Sequence, residues 1–200
     1  MPPFHMGTVE WAETFAFWLL ALILLAVFAL LLLGGPRRRA AAPAIAQITP
    51  RWRAMPETRL VTLALPLELL WEIAQFPLYD VWHQNDWGYI LYGLAHCTLG
   101  DLLILLAVFW IVAALRRDRR WFLEAPWTSG AAFTLLAIGY TIFSEIHNVR
   151  VKGTWGYTEL MPIVPYLEVG AMPLLQWVLI PPVLISLLQL LPDATHPPPR

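Results

Sequence analysis

The sequence predicts an all-α, polytopic membrane helix bundle of about five transmembrane helices, one integral membrane domain over 1–200 with its N-terminus outside. Three observations predict it. Hydrophobic residues make up 58 % of the chain and charged ones only 14 %, too apolar a balance for an ordinary soluble domain. Apolar runs long enough to cross a ~30 Å hydrocarbon core alternate with polar connections. The arginines gather at the boundaries of those runs, where they orient helices; no nucleic-acid signature accompanies them.

The first span, 14–33, has no polar side chain from residue 15 to residue 33. Its reading as a cleaved secretory signal is disfavoured, because Arg37, Arg38 and Arg39 follow the apolar run while Glu10 and Glu13 precede it. Residues 34–59 turn to Pro, Ala and Arg, with Pro36, Pro43, Pro50 and Pro56 breaking any long helix, and form a cytoplasmic loop. The second span, 60–79, carries Pro66, Glu68, Glu72, Gln75 and Pro77. The third, 89–115, carries His96, Cys97, Thr98 and Asp101, and Arg116, Arg117, Arg119 and Arg120 stop it. A fourth covers 129–147 and a fifth 173–191, the latter kinked by Pro181 and Pro182. The Pro-rich tail 192–200 is read as disordered.

This arrangement puts Arg37, Arg38, Arg39, Arg51, Arg53, Arg59, Arg116, Arg117, Arg119, Arg120 and Arg200 on one side. Only Arg150 and Lys152, of 13 basic residues, lie on the other. The first side is therefore cytoplasmic, and the loops 80–88 and 147–172 face outward. The second of these is long for a connection, and part of it is expected to re-enter or lie along the interface, with Trp155 and Tyr157 in the aromatic belt.

Ionisable groups inside a span cost roughly 2.5–3.5 kcal/mol each, so they face a cavity or a partner. Glu68, Glu72 and Gln75 are spaced to share one helical face. Two carboxylates so placed share a proton or hold a cation, or else act as glue between helices. Asp101 shares a face with Cys97 and Thr98, while His96 lies about 140° around the helix, towards Tyr92 and Gly100. Glu145 sits with Thr141 and Asn148, and His147 with Tyr140 and Ser144. Measured from the outer helix ends, these depths allow one pocket open to the outer side. Asp80, His83, Asn85, Asp86 and Glu159 would roof it.

The candidate catalytic residues are Glu72, His96, Asp101 and Glu145. The candidate substrate-binding residues are Glu68, Gln75, His147, Asn148, Trp155, Tyr157 and Glu159. No cofactor is indicated. A metal is set aside because no H-E-x-x-H, E-x-x-H or cysteine pair occurs, and the single Cys97 also excludes an internal disulfide. No nucleophile elbow surrounds Ser129, Ser144 or Ser186.

The run E-I-H-N-V-R-V-K-G-T-W-G-Y-T-E-L-M-P over 145–162, followed by V-G-A-M-P-L-L-Q-W, resembles a segment of bacterial multi-pass inner-membrane proteins and brings no activity with it. A small bundle with buried carboxylates, a His and a Trp is distantly similar to the sterol-isomerase and sigma-2-receptor group. A polar-aromatic loop before a Pro-containing last span is similar to membrane carotenoid cyclases and hydratases. These resemblances imply a hydrophobic, lipid-like substrate and assign no residue.

Three functions are expected from these readings. The first is acid–base chemistry on a lipid or isoprenoid, with Glu72 or Asp101 as proton donor and His96 or Glu145 as base. The second is proton- or cation-coupled transport on the same carboxylates. The third is an accessory or assembly subunit whose polar face docks a partner. The expected partners are the bilayer, a lipid-like small molecule, and a protein partner or a second copy of the chain.

Overall fold

A computed structural model describes residues 55–190 of the chain. The first span at 14–33, most of the 34–59 loop and the 192–200 tail fall outside the described residues.

Helix α1, Pro56–Gln75, begins inside the expected loop. Pro56 occupies the first helical position, where its missing N–H would have had no partner in any case. The helix runs through Pro66 and tightens into a 3₁₀ turn over Phe76–Leu78. A short helix α2, Asp80–Gln84, leads to α3, Trp87–Arg116, whose first turn is capped by the Asp86 carboxylate accepting from the Tyr89 N–H at 2.9 Å. Arg117, at φ 53° in the left-handed region, ends it. The short α4, Trp121–Glu124, turns the chain into α5, Pro126–Glu145.

The sequence places the end of the fourth span at 147. Instead α5 continues as a π-helical turn, Ile146–Lys152, ended by Gly153 at φ 62°. The outer 147–172 segment is therefore only partly a loop. Its first residues are helix, and a two-stranded antiparallel hairpin, β1 Ile163–Val164 and β2 Val169–Gly170, precedes α6, Ala171–Leu190. Helix α6 passes unbroken through Pro181 and Pro182, and the Ser186 hydroxyl bonds the Pro182 carbonyl at 2.8 Å.

Among the described residues, 4 helical segments are long and apolar enough to cross a membrane: Pro56–Leu78, Trp87–Arg116, Pro126–Lys152 and Ala171–Leu190. They pack around Trp71, Phe109, Trp121, Phe133 and Trp177, all fully buried. Their outward faces carry Leu65, Leu69, Leu70, Leu99, Leu115 and Leu135, all exposed. In water such a surface would drive association, whereas against lipid tails it costs nothing. At the end where α1 begins, Glu57 holds Arg119 by a forked pair at 2.7 Å and accepts from the Trp110 indole at 3.2 Å, tying α1 to the α3–α4 turn.

Candidate functional site

Glu68, Trp71, Glu72 and Gln75 recur at the helical repeat, so α1 turns one polar stripe towards α3 and α6. All are buried, and Glu68 and Trp71 have no exposed surface at all. From α6, the Gln176 amide reaches into this stripe and divides its N–H donors between Glu68 Oε2 at 2.7 Å and Asp101 Oδ2 of α3 at 2.9 Å. Its carbonyl oxygen accepts from Gln75 at 3.4 Å. Gln75 also donates to Glu72 at 2.5 Å and accepts from the Trp71 indole at 3.0 Å. The Glu72 and Asp101 carboxyls lie close to each other, and two carboxyls so placed in a low-dielectric site favour sharing one proton. Three helices are thus joined by one network of three acids, two amides and an indole. Glu68 Oε1 is its loose end, buried with no partner.

A fourth acid, Glu145, stands at the close of α5 and is 5 % exposed. Tyr157 donates to it at 2.5 Å, although the two side chains belong to different parts of the chain. The chain after the π-helical turn doubles back and is stitched to the end of α1. The Asp80 N–H bonds the Gly156 carbonyl at 3.1 Å, the Gly156 N–H bonds the Asp80 carboxylate at 2.7 Å, and the Thr158 N–H bonds the Leu78 carbonyl at 2.9 Å. A bridge then pairs Tyr79 with Tyr157. A Cβ at residue 156 would lie 2.6 Å from Asp80 Oδ2, so any other residue there would push the Asp80 carboxylate out of this stitch. This fold-back also brings Tyr79 and Trp155 up to Glu145.

Burial, then the hydrogen bond to Glu145, pushes the Tyr157 phenol above its ordinary range; burial does the same to Tyr79, followed by the Glu145 and Glu72 carboxylates. Both remain proton donors when an unfolded tyrosine, at about 10, would ionise. A phenol pushed upward by folding stabilises the fold below about pH 10, and that contribution is lost as pH rises through the folded value. Tyr157→Phe should therefore flatten the alkaline loss of stability, measured by unfolding in micelles across pH. It should also cost about 1.5–3 kcal/mol near neutrality, where the bond to Glu145 is removed. An unchanged alkaline limb would show that Tyr157 is not the group responsible.

Both acid sites open on one cavity of about 780 Å³. At one end its walls are Glu72, Gln75, Asp101, Gln176, Glu145 and Trp155; at the other they are Leu103, Ile104, Ala107, Val108, Ile111 and Leu136. The structure brings the four candidate catalytic residues Glu72, His96, Asp101 and Glu145 to this cavity, together with Gln75, Asn148 and Trp155. His96 is on its exposed rim, stacked on Tyr92 at 5.7 Å.

The other expected residues take different places. Glu68 is sealed behind Gln176 and does not reach the cavity wall. His147 lies off the cavity, stacked on Phe143 at 5.8 Å, because two residues past Glu145 is about 200° around a helix. Tyr157 donates to Glu145 and is not itself wall. Glu159 is exposed and away from the cavity. The expected roof is scaffold: Asp80 binds Gly156, Asp86 caps α3, His83 bonds the Pro77 carbonyl at 3.0 Å and Asn85 donates to the Val81 carbonyl at 2.8 Å. Trp155 is half-buried on the cavity wall, and Arg150 is paired with Glu168 at 2.7 Å.

Sequence reasoning missed Gln176, Trp71 and Tyr79. An amide in the middle of an apolar run, 171–188, was the signal for the first. Among the described residues, no group of three or more His, Cys, Asp or Glu is arranged to hold a metal ion. Comparison with protein-family models, with curated proteins and with solved structures finds no match to this chain.

Proposed function

We propose that the chain is an integral membrane enzyme that performs acid–base chemistry on a lipid-like or isoprenoid molecule held in this cavity. The observation that carries the reading is the Glu72–Asp101 carboxyl contact at the polar end of an otherwise apolar cavity. Such a pair holds a transferable proton where water is scarce, which is the condition for general acid catalysis on an apolar substrate. Glu72 or Asp101 gives the proton, and Glu145, steadied by Tyr157, takes one from the neighbouring atom; His96 stands at the rim as the other base. One proton is added and one removed, so the chemistry needs no redox partner. The chain is read as a multi-pass protein of the bacterial inner membrane, with five spans, its N-terminus outside and the arginine-rich connections in the cytoplasm.

The test compares extracted lipids, by mass spectrometry, from a deletion strain, its complemented parent and a strain carrying the Glu72→Gln, Asp101→Asn double variant. A lipid or isoprenoid that shifts on deletion and is restored by the wild type but not by the variant supports the reading. Identical lipid profiles in all three strains would sink it.

A second reading, proton- or cation-coupled transport, is favoured by one observation: Glu68 Oε1 is buried without a partner beside two further carboxyls. Ion uptake into vesicles that depends on Glu68 would support it.

A further inference from the structure

The cavity has a direction. Its acids lie in one half, with Asp101 about 18 Å along a stripe of α3 that runs the cavity's length from Tyr89 to Ile111, a rise of about 33 Å at ~1.5 Å per residue. That is the thickness of a bilayer's hydrocarbon core, ~30 Å. Tyr92, Leu103, Ile111, Leu136 and Tyr140 line the cavity and are also 39–67 % exposed. Among the described residues, the opening is therefore sideways, between α3 and α5, on an exposed and largely apolar face.

The volume limits what fits. At about 780 Å³ the cavity falls within the ~300–1,000 Å³ range of sites that hold one small molecule, the size of a single-chain amphiphile with a small head. The head's charge is limited as well. Glu72, Asp101 and Glu145 line the polar end, and among the described residues the only Lys or Arg on the wall is the exposed Lys152. A phosphate placed there would be repelled. A cation is not required either, because each carboxyl already receives a neutral donor: Gln75 for Glu72, Gln176 for Asp101 and Tyr157 for Glu145.

Gly100 stands at mid-length of the stripe, where the cavity is open. It lines the cavity beside Asp101, and a Cβ built on it meets nothing within 4 Å. A glycine in a helix interior costs about 1 kcal/mol relative to alanine, and here its missing side chain leaves the passage between head and tail ends clear. Gly139 on α5 is equally open but does not line the cavity.

We infer that the occupant is a single-chain amphiphile with an uncharged hydrogen-bonding head, an alcohol or a carbonyl, which slides in from the bilayer between α3 and α5. Its head lies at Glu72, Asp101 and Glu145, and its tail passes Gly100 towards Ile111. This deepens the proposed function, on which it rests, by naming the substrate class.

The test is native mass spectrometry of the full chain in lipid nanodiscs with hexadecanol, hexadecyl phosphate or hexadecylamine. The wild type should retain hexadecanol, and bind the phosphate and the amine at least about tenfold more weakly. Gly100→Leu and Ala107→Phe should each weaken hexadecanol by about tenfold, while Gly139→Leu leaves it unchanged. Equal or tighter binding of the phosphate or the amine would overturn the neutral head. Unaltered hexadecanol binding in Gly100→Leu would overturn the tail path. Loss of stability in Gly100→Leu with no change in bound alcohol would place protein against this face and overturn the site. If the lipid profile of the deletion strain shifts while hexadecanol fails to bind, the enzyme reading stands and this inference falls; hexadecanol binding with an unshifted profile is the reverse.

Discussion

Gln176→Leu should destabilise the bundle by about 2–5 kcal/mol, the largest loss expected of any single polar substitution here. An average interhelical hydrogen bond in a membrane protein contributes only ~0.6 kcal/mol, because the separated helices find other partners. Gln176 is different in what it leaves behind. Its one amide nitrogen serves two carboxyls, Glu68 at 2.7 Å and Asp101 at 2.9 Å. Asp101 opens on the cavity and can be hydrated when the amide is lost, whereas Glu68 is sealed and already has one oxygen without a partner. The penalty should therefore concentrate on Glu68. A Glu68→Leu, Gln176→Leu double variant should regain most of the stability, since removing both partners of a buried contact is close to neutral while removing one is not. Unfolding in mixed micelles of the single and double variants measures this. A double variant no more stable than Gln176→Leu would place the cost elsewhere, in the packing of α6.

How legible this was in the sequence depended on the range of the contact. The 4 apolar helices among the described residues read directly, because hydropathy and length are local properties. Glu68, Glu72 and Gln75 read as one face because helical spacing decides it, and Asp101 stood out because a carboxylate deep in a span requires a reason. Gln176 did not, since its partners lie 75, 101 and 108 residues away and an amide in a span reads equally well as glue. Tyr157 was placed in the interface for the same cause: its bond to Glu145 rests on the Asp80–Gly156 stitch across 76 residues. The roof acids were a different failure. Asp86 immediately before a long apolar run is a helix-cap signal, and reading it as one would have removed it from the site.

Substituting either member of the carboxyl pair should leave the fold standing and lower turnover by about 100- to 10,000-fold, the usual contribution of a positioned general acid. In Asp101→Asn the side-chain carbonyl still accepts from Gln176, and in Glu72→Gln it still accepts from Gln75, so each amide preserves the network's geometry. What each removes is the proton held between two carboxyls. The loss should therefore appear in the rate at which the affected lipid is converted and not in unfolding, the reverse of the pattern expected for Gln176→Leu. Glu68→Gln separates the two functional readings. Glu68 does not touch the cavity, so an acid–base enzyme should keep most of its activity without that charge, through the intact pair in front of it. A proton- or cation-coupled carrier should lose coupling at Glu68 first, because that is where an unpartnered buried oxygen waits for a proton or an ion. Lipid conversion and ion flux measured on the same three single variants therefore decide between them: conversion lost at 72 and 101 and kept at 68 supports the enzyme, and flux lost at 68 with lipids unchanged supports the carrier.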